Sequence, residues 1–204
     1  MYKVFIENRR VIFSMDEAQV TASEKRKGND FVKDILPLVN SIAEGEELII
    51  SIKNKRQFET IFKDHQRITA AGGLVQRKQR MLFIKRNGYW DIPKGKVELN
   101  ETITTAAVRE VEEECGLKNV QLADFMMITL HTYQYKDQWV LKETHWYKMR
   151  YKGPKKTTPQ EEEGITKVKW FKLGSFEKVL KDPSIGFRTS VRAVTKRGDM
   201  LGRT

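Results

Sequence analysis

Gly95-Lys-Val-Glu-Leu-Asn-Glu101 and, a little further on, Arg109-Glu110-Val111-Glu112-Glu113-Glu114-Cys115-Gly116-Leu117 form the stretch on which the reading of this chain turns. The second part reads as a helix that starts near Thr102 and stops at Gly116, a residue suited to the left-handed conformation that closes helices. Glu110, Glu113 and Glu114 then stand at i, i+3 and i+4, so three carboxylates share one helical face. They repel one another and crowd the negative end of the helix dipole, at a cost of about 0.3–1 kcal/mol each. A hard divalent cation is the best compensation. Magnesium prefers carboxylate oxygens and keeps water and phosphate oxygens as its other ligands, with manganese as the alternative. An isolated acidic helix is ordinarily a solvated face, but this one does not stand alone.

The surroundings set it off. The chain has 204 residues and a formal net charge of +11, with 38 Lys and Arg against 27 Asp and Glu. Residues 1–66 are neutral overall, while 67–94, 118–164 and 165–204 are all net basic. Only 95–117 runs the other way, with 2 basic and 6 acidic side chains. The aromatic content argues against disorder, and no apolar run approaches the ~20 residues of a membrane-spanning helix. The N-terminal apolar run is too short for a secretory signal, and the single Cys115 excludes an internal disulfide. The expectation is a soluble, cytoplasmic protein without a membrane partner.

Working outward, Lys3–Ile6 and Val11–Ser14 read as a hairpin, and about 30–43 as a helix interrupted by Pro37. Glu47–Lys53 alternates as a strand, and Asn54 with Gln57 resembles a capping box. From Ile68 the texture changes to strands: 68–76, 80–87, 124–135, 139–151 and 166–171, with helices expected at 176–180 and 185–197. Strands with helices before, within and after them imply an α/β layered domain. The expected division is a small α+β N-terminal unit over 1–66, of unknown role, followed by a second domain over 67–204.

The spacing Gly95-x5-Glu101-x7-Arg109-Glu110-Val111-x-Glu113-Glu114-x-Gly116-Leu117 matches every fixed position of the Nudix box. The chain therefore resembles the Nudix hydrolases, the superfamily that includes MutT. The resemblance implies an α/β Nudix fold, an α/β/α sandwich with a mixed sheet, from about Ile68 to Lys196. It implies hydrolysis of a nucleoside diphosphate linked to another moiety, with water attacking phosphorus and metal ions activating it. Carried over position by position, Glu110 and Glu114 are the main metal ligands, and Glu113 ligates a further metal or orients the water. The carbonyl of Gly95 joins the metal shell, and Arg109 orients Glu101 or a helix glutamate. Family members often add an acidic residue before a late strand bearing a tryptophan. Here Glu161, Glu162 and Glu163 precede a strand with Trp170, and Glu163 or Glu162 is favoured as fourth ligand or general base. Cys115 falls at a variable position of the box.

Trp90-Asp-Ile-Pro93-Lys94-Gly95-Lys96 resembles the entry to the box in members acting on diadenosine polyphosphates. Dinucleoside polyphosphates are thus the favoured substrates, with ADP-ribose, nucleoside triphosphates or RNA 5′ ends as alternatives. Lys94 and Lys96 are candidates to meet substrate phosphates, and Tyr133 or Tyr135 to stack on a nucleobase. Trp90 and Pro93 read as packing residues, and His131 and His145 as structural. Arg188, Arg192 and Lys196 form a basic stripe at helical spacing, opposite Phe187, Val191 and Val194. The stripe leaves nucleic acid as a partner that is not favoured. A catalytically idle nucleotide-binding module is the rival reading. Homodimerisation stays open.

Overall fold

A computed structural model describes residues 1–6, 9–16, 29–43, 46–173 and 194. The expected helices at 176–180 and 185–197, with the basic stripe, lie outside the described residues except for Val194. That residue is helical and buried. Contacts divide the chain into two compact units, residues 1–68 with 129–143, and residues 69–128 with 144–204. Residues 129–143 group with the N-terminal residues.

In the first unit, β1 (Tyr2–Ile6) and β2 (Arg9–Ser14) pair antiparallel, and β3 (Glu47–Ser51) lies parallel to β2. β1 also pairs in parallel with Leu130–Thr132. Alternation along the strands points Val4, Ile6, Val11, Phe13, Leu48 and Ile50 into one core with Phe31, Ile35, Phe58 and Phe62. Pro37 breaks the expected helix in a defined way. Phe31–Ile35 forms a π-helical turn, and α1 (Leu36–Asn40) follows with Pro37 in its first turn. There the missing N–H removes no helical bond. Asn54 caps α2 (Lys55–Ile61) by accepting from the Gln57 amide at 3.0 Å. Gln57 reaches back to the Lys53 amide at 2.7 Å, one residue before the cap.

The second unit holds most of β4 (Gln66–Arg77), β5 (Arg80–Arg86), β10 (Ile165–Lys172), and the parts of β8 (Gln121–Tyr135) and β9 (Gln138–Arg150) outside 129–143. Their lateral order is β10-β5-β4-β9-β8. Two short strands, β6 (Tyr89–Asp91) on β5 and β7 (Lys94–Lys96) on β4, bring the chain to α3 (Ile103–Cys115). Both sheet faces are buried. Leu82 and Ile84 point to the face covered by Ala106, Ala107, Val111 and Cys115 of α3. Met81 and Phe83 point to the other, which holds Trp90, Ile92, Met126, Trp146 and Val194. Trp90 and Pro93 are packing residues, as expected: Trp90 meets the edge of Phe171 at 5.0 Å, and the Pro93 carbonyl accepts from Gly73. Among the described residues no helix is long and apolar enough to cross a membrane.

Candidate active site

The site begins with how α3 is closed at both ends. The Thr102 hydroxyl accepts from the Thr105 amide at 3.1 Å, fixing the first turn. Gly116 takes φ 63°, and the Leu117 amide returns to the Glu112 carbonyl at 3.0 Å. A side chain at 116 would strain the backbone and collide with Thr158. Between these ends the apolar positions of α3 turn inward. That rotation carries Glu110 and Glu114 to the rim of the core, where Glu110 is buried and Glu114 wholly so. Pairing of β7 with Ala70–Gly72 of β4 then lays Gly95 directly over Glu110. A Cβ at position 95 would fall inside the Glu110 carboxylate, so glycine is a steric requirement there.

Two arginines supply the counter-charge. Arg109 grips Glu101 with two bonds of 2.8 Å, from Nε and Nη2. Its Nη1 donates to Glu110 and to Glu113, each at 2.9 Å, and Nη2 also reaches the Lys96 carbonyl at 3.1 Å. This guanidinium holds the Glu101 carboxyl below its ordinary range and is itself pushed up by the three carboxylates. Arg86, at the end of β5, donates from Nη2 to Glu114 at 2.7 Å and to the Glu163 carboxylate, and from Nε to the Glu163 carbonyl at 3.2 Å. The second oxygen of Glu114 accepts from the Lys94 amide at 3.0 Å. Burial nonetheless outweighs these partners and pushes the Glu114 carboxyl up to about 7. Glu110 is raised too, chiefly by burial, with the charges of Glu163 and Glu113 acting in the same direction.

Glu110, Glu113, Glu114, Arg109, Gly95 and Glu163 are therefore brought together. Glu161 and Glu162 share a 3-10 turn with Glu163, but their side chains point to solvent and make no ion pair among the described residues. The Lys94 ammonium is engaged by the buried Asp91, whereas Lys96 is exposed beside the glycine. Tyr133 is half-buried and Tyr135 exposed, and both lie in the 129–143 segment of the first unit. His131 stacks on Phe5 at 5.1 Å, and Cys115 is buried, with its thiol pushed up by that burial. Sequence reasoning missed Arg86 and Asp91. Asp91 had a local signal, three residues before Lys94; Arg86 had none, because its partners are 28 and 77 residues away.

No group of three or more His, Cys, Asp and Glu is drawn together as a ready cation cage among the described residues. What converges is a set of hard oxygens: two buried carboxylates one helical turn apart, with a glycine backbone pressed against one of them. That donor chemistry suits a small divalent cation.

A family model described as a NUDIX domain matches residues 66–188. The chain belongs to the Nudix family. Curated relatives include a MutT-like protein of Streptomyces ambofaciens, 43% identical over 53 residues, covering 25% of this chain and 34% of that one. A putative mutator protein MutT4 of Mycobacterium tuberculosis (strain CDC 1551 / Oshkosh) is 33% identical over 108 residues, covering 50% and 38%. An ADP-ribose pyrophosphatase of Methanocaldococcus jannaschii is 40% identical over 53 residues, covering 24% and 31%. The Nudix chain thus spans between 31% and 38% of the length of these relatives. Among solved structures, the MutT protein from Methanosarcina mazei Go1 aligns with TM-score 0.52 at 17% identity, covering 69% of this chain and 99% of that one. This likeness shows the α/β Nudix fold. Nudix hydrolases generally use divalent metal ions.

Proposed function

We propose that this Nudix protein is a magnesium-dependent pyrophosphohydrolase that cleaves a nucleoside diphosphate linked to another moiety. The observation that carries the reading is the convergence of buried Glu110 and Glu114, Gly95 and Glu163 at one end of the box helix. Glu110, Glu114 and the Gly95 carbonyl would hold the cation, with Glu113 available to a further one. A bound magnesium ion supplies Lewis acidity, neutralising phosphate charge and acidifying water.

This chain's own residues do the rest. Arg86 holds Glu163 beside Glu114, which makes Glu163, rather than Glu162, the proposed fourth ligand or base for the attacking water. Arg109 keeps Glu110 and Glu113 turned toward one side of the helix. Lys96 is exposed beside the glycine and offers a point charge to the phosphates, while Lys94 is spent on Asp91. Residues 1–66, with the 129–143 segment, are proposed as an accessory unit.

Dinucleoside polyphosphates remain the favoured substrates because Trp90, Pro93, Lys94 and Lys96 resemble that subgroup's entry to the box. The ADP-ribose pyrophosphatase relative supports the coarser class of nucleoside diphosphate derivatives. A panel of dinucleoside polyphosphates, ADP-ribose, nucleoside triphosphates and 5′-triphosphorylated RNA, incubated with magnesium and read by product identification, tests the assignment. Cleavage of diadenosine polyphosphates at the highest kcat/KM is the expected result. Magnesium-independent turnover, or none with any pyrophosphate, overturns it.

A further inference from the structure

The geometry points to Arg86 as the residue that positions Glu163 for the box, holding it beside Glu114 on a single guanidinium nitrogen. The kinetic consequence rests on the pyrophosphohydrolase reading; the contacts do not.

The backbone around Glu163 is fastened on both sides. Before the acidic turn, the Thr158 and Gln160 amides donate to the Cys115 and Glu114 carbonyls of α3 at 3.0 and 3.3 Å. After it, the Asn87 amide donates to the Gly164 carbonyl at 3.0 Å, and Gly164, at φ 71°, lies against the Asn87 side chain, where a Cβ would collide. These bonds place the turn but do not aim the Glu163 side chain, which is 45% exposed. Among the described residues only Arg86 hydrogen-bonds that carboxylate. Solvent would otherwise take it, since moving a third carboxylate toward buried Glu110 and Glu114 is uphill.

Arginine suits the task for a geometric reason. Nε holds the Glu163 carbonyl while Nη2 spans the Glu163 and Glu114 carboxylates, so one rigid fork fixes backbone and side chain together. A lysine ammonium carries the charge without the second nitrogen at a fixed angle. Arg86 is thus a positioning residue that acts through Glu163.

The test uses the full chain as R86Q, R86K, E163Q and R86Q/E163Q. Free Mn²⁺ is followed by electron paramagnetic resonance, and kcat and KM are measured on diadenosine tetraphosphate with magnesium. R86Q and E163Q should each weaken Mn²⁺ binding about tenfold and lower kcat by a similar factor, with KM within about twofold. The double variant should be no worse than the poorer single variant. R86K keeps a charge beside buried Glu114, so it folds even if R86Q does not, and it should share the loss. Multiplicative losses in the double variant overturn the inference, as does wild-type Mn²⁺ affinity in R86Q or R86K. A raised KM at unchanged kcat in R86Q also overturns it, since Arg86 would then bind substrate directly. If the wild-type chain hydrolyses nothing, the functional reading fails while the Mn²⁺ arm still decides the role of Arg86.

Discussion

Arg109 and Arg86 each gather glutamates around one guanidinium, yet the protein treats Glu101 and Glu114 oppositely. At Arg109 the hydrogen bonds prevail for Glu101, which is held in its charged form, while Glu113 is 49% exposed and Glu110 is buried and raised. At Arg86 the principal partner, Glu114, has no exposure, and burial prevails even against two cationic neighbours and a backbone amide. One, the Arg109–Glu101 pair, is a clamp whose charges are settled. The other is a buried acid held near neutrality, which a divalent cation can convert to its ionised form. Salt bridges of similar length therefore perform different work, and depth of burial separates them.

That contrast can be tested from its strong end downward. Glu114→Gln removes the proposed buried ligand while keeping an oxygen for the Lys94 amide, so turnover should fall by about a thousandfold. Steady-state kinetics measure the loss, and a circular dichroism melt near wild type shows that the fold survives. Activity close to wild type would remove Glu114 from the machinery. Gly95→Ala drives a methyl into Glu110 and should lower kcat/KM on the order of a hundredfold. A fully active variant would mean that Glu110 can retreat without cost. Arg109→Gln loosens three carboxylates without touching Glu114, and the expected loss is about 10–100-fold in Mn²⁺ affinity.

The pH dependence separates the two clusters further. Folding raises the Glu114 carboxyl from 4.5 to about 7, so folding favours its protonated form. The stability this contributes is fully present below about pH 4.5 and is lost as pH rises through about 7. In metal-free protein, the melting temperature of E114Q minus that of wild type should therefore grow between pH 5 and pH 8. A constant difference would show that Glu114 is ionised throughout. The exposed Arg67–Glu59 pair sets the baseline, with both side chains 47% exposed and the bond at 2.9 Å. Glu59→Gln should change stability by under about 0.5 kcal/mol in chemical denaturation.

What could be read from residues alone follows the same line between near and far. The ends of α3, the shared face of its glutamates and the Arg109–Glu101 pair were legible because each depends on residues within one or two helical turns. The hairpin of β1 and β2 and the cap at Asn54 were legible for the same reason. Arg86 was not, since β5 meets β10 only in the folded sheet, where Ile165 pairs with Arg86. Nor was the grouping of 129–143 with the N-terminal unit, which follows from parallel pairing of Val4–Ile6 with Leu130–Thr132. Lys94 had a second partner close by in sequence. It stands beside the glycine, and a buried aspartate three residues earlier pairs with its ammonium.

The bond between Arg86 and Glu163 spans 77 residues. A ribosome finishes the box motif when Leu117 is added, but the acid that Arg86 holds emerges only some 46 residues later. Through that interval the nascent chain carries every residue of the motif without Glu163. A truncated product ending near residue 150 would stay in that condition permanently, displaying the family signature in full while lacking the acidic turn that Arg86 holds.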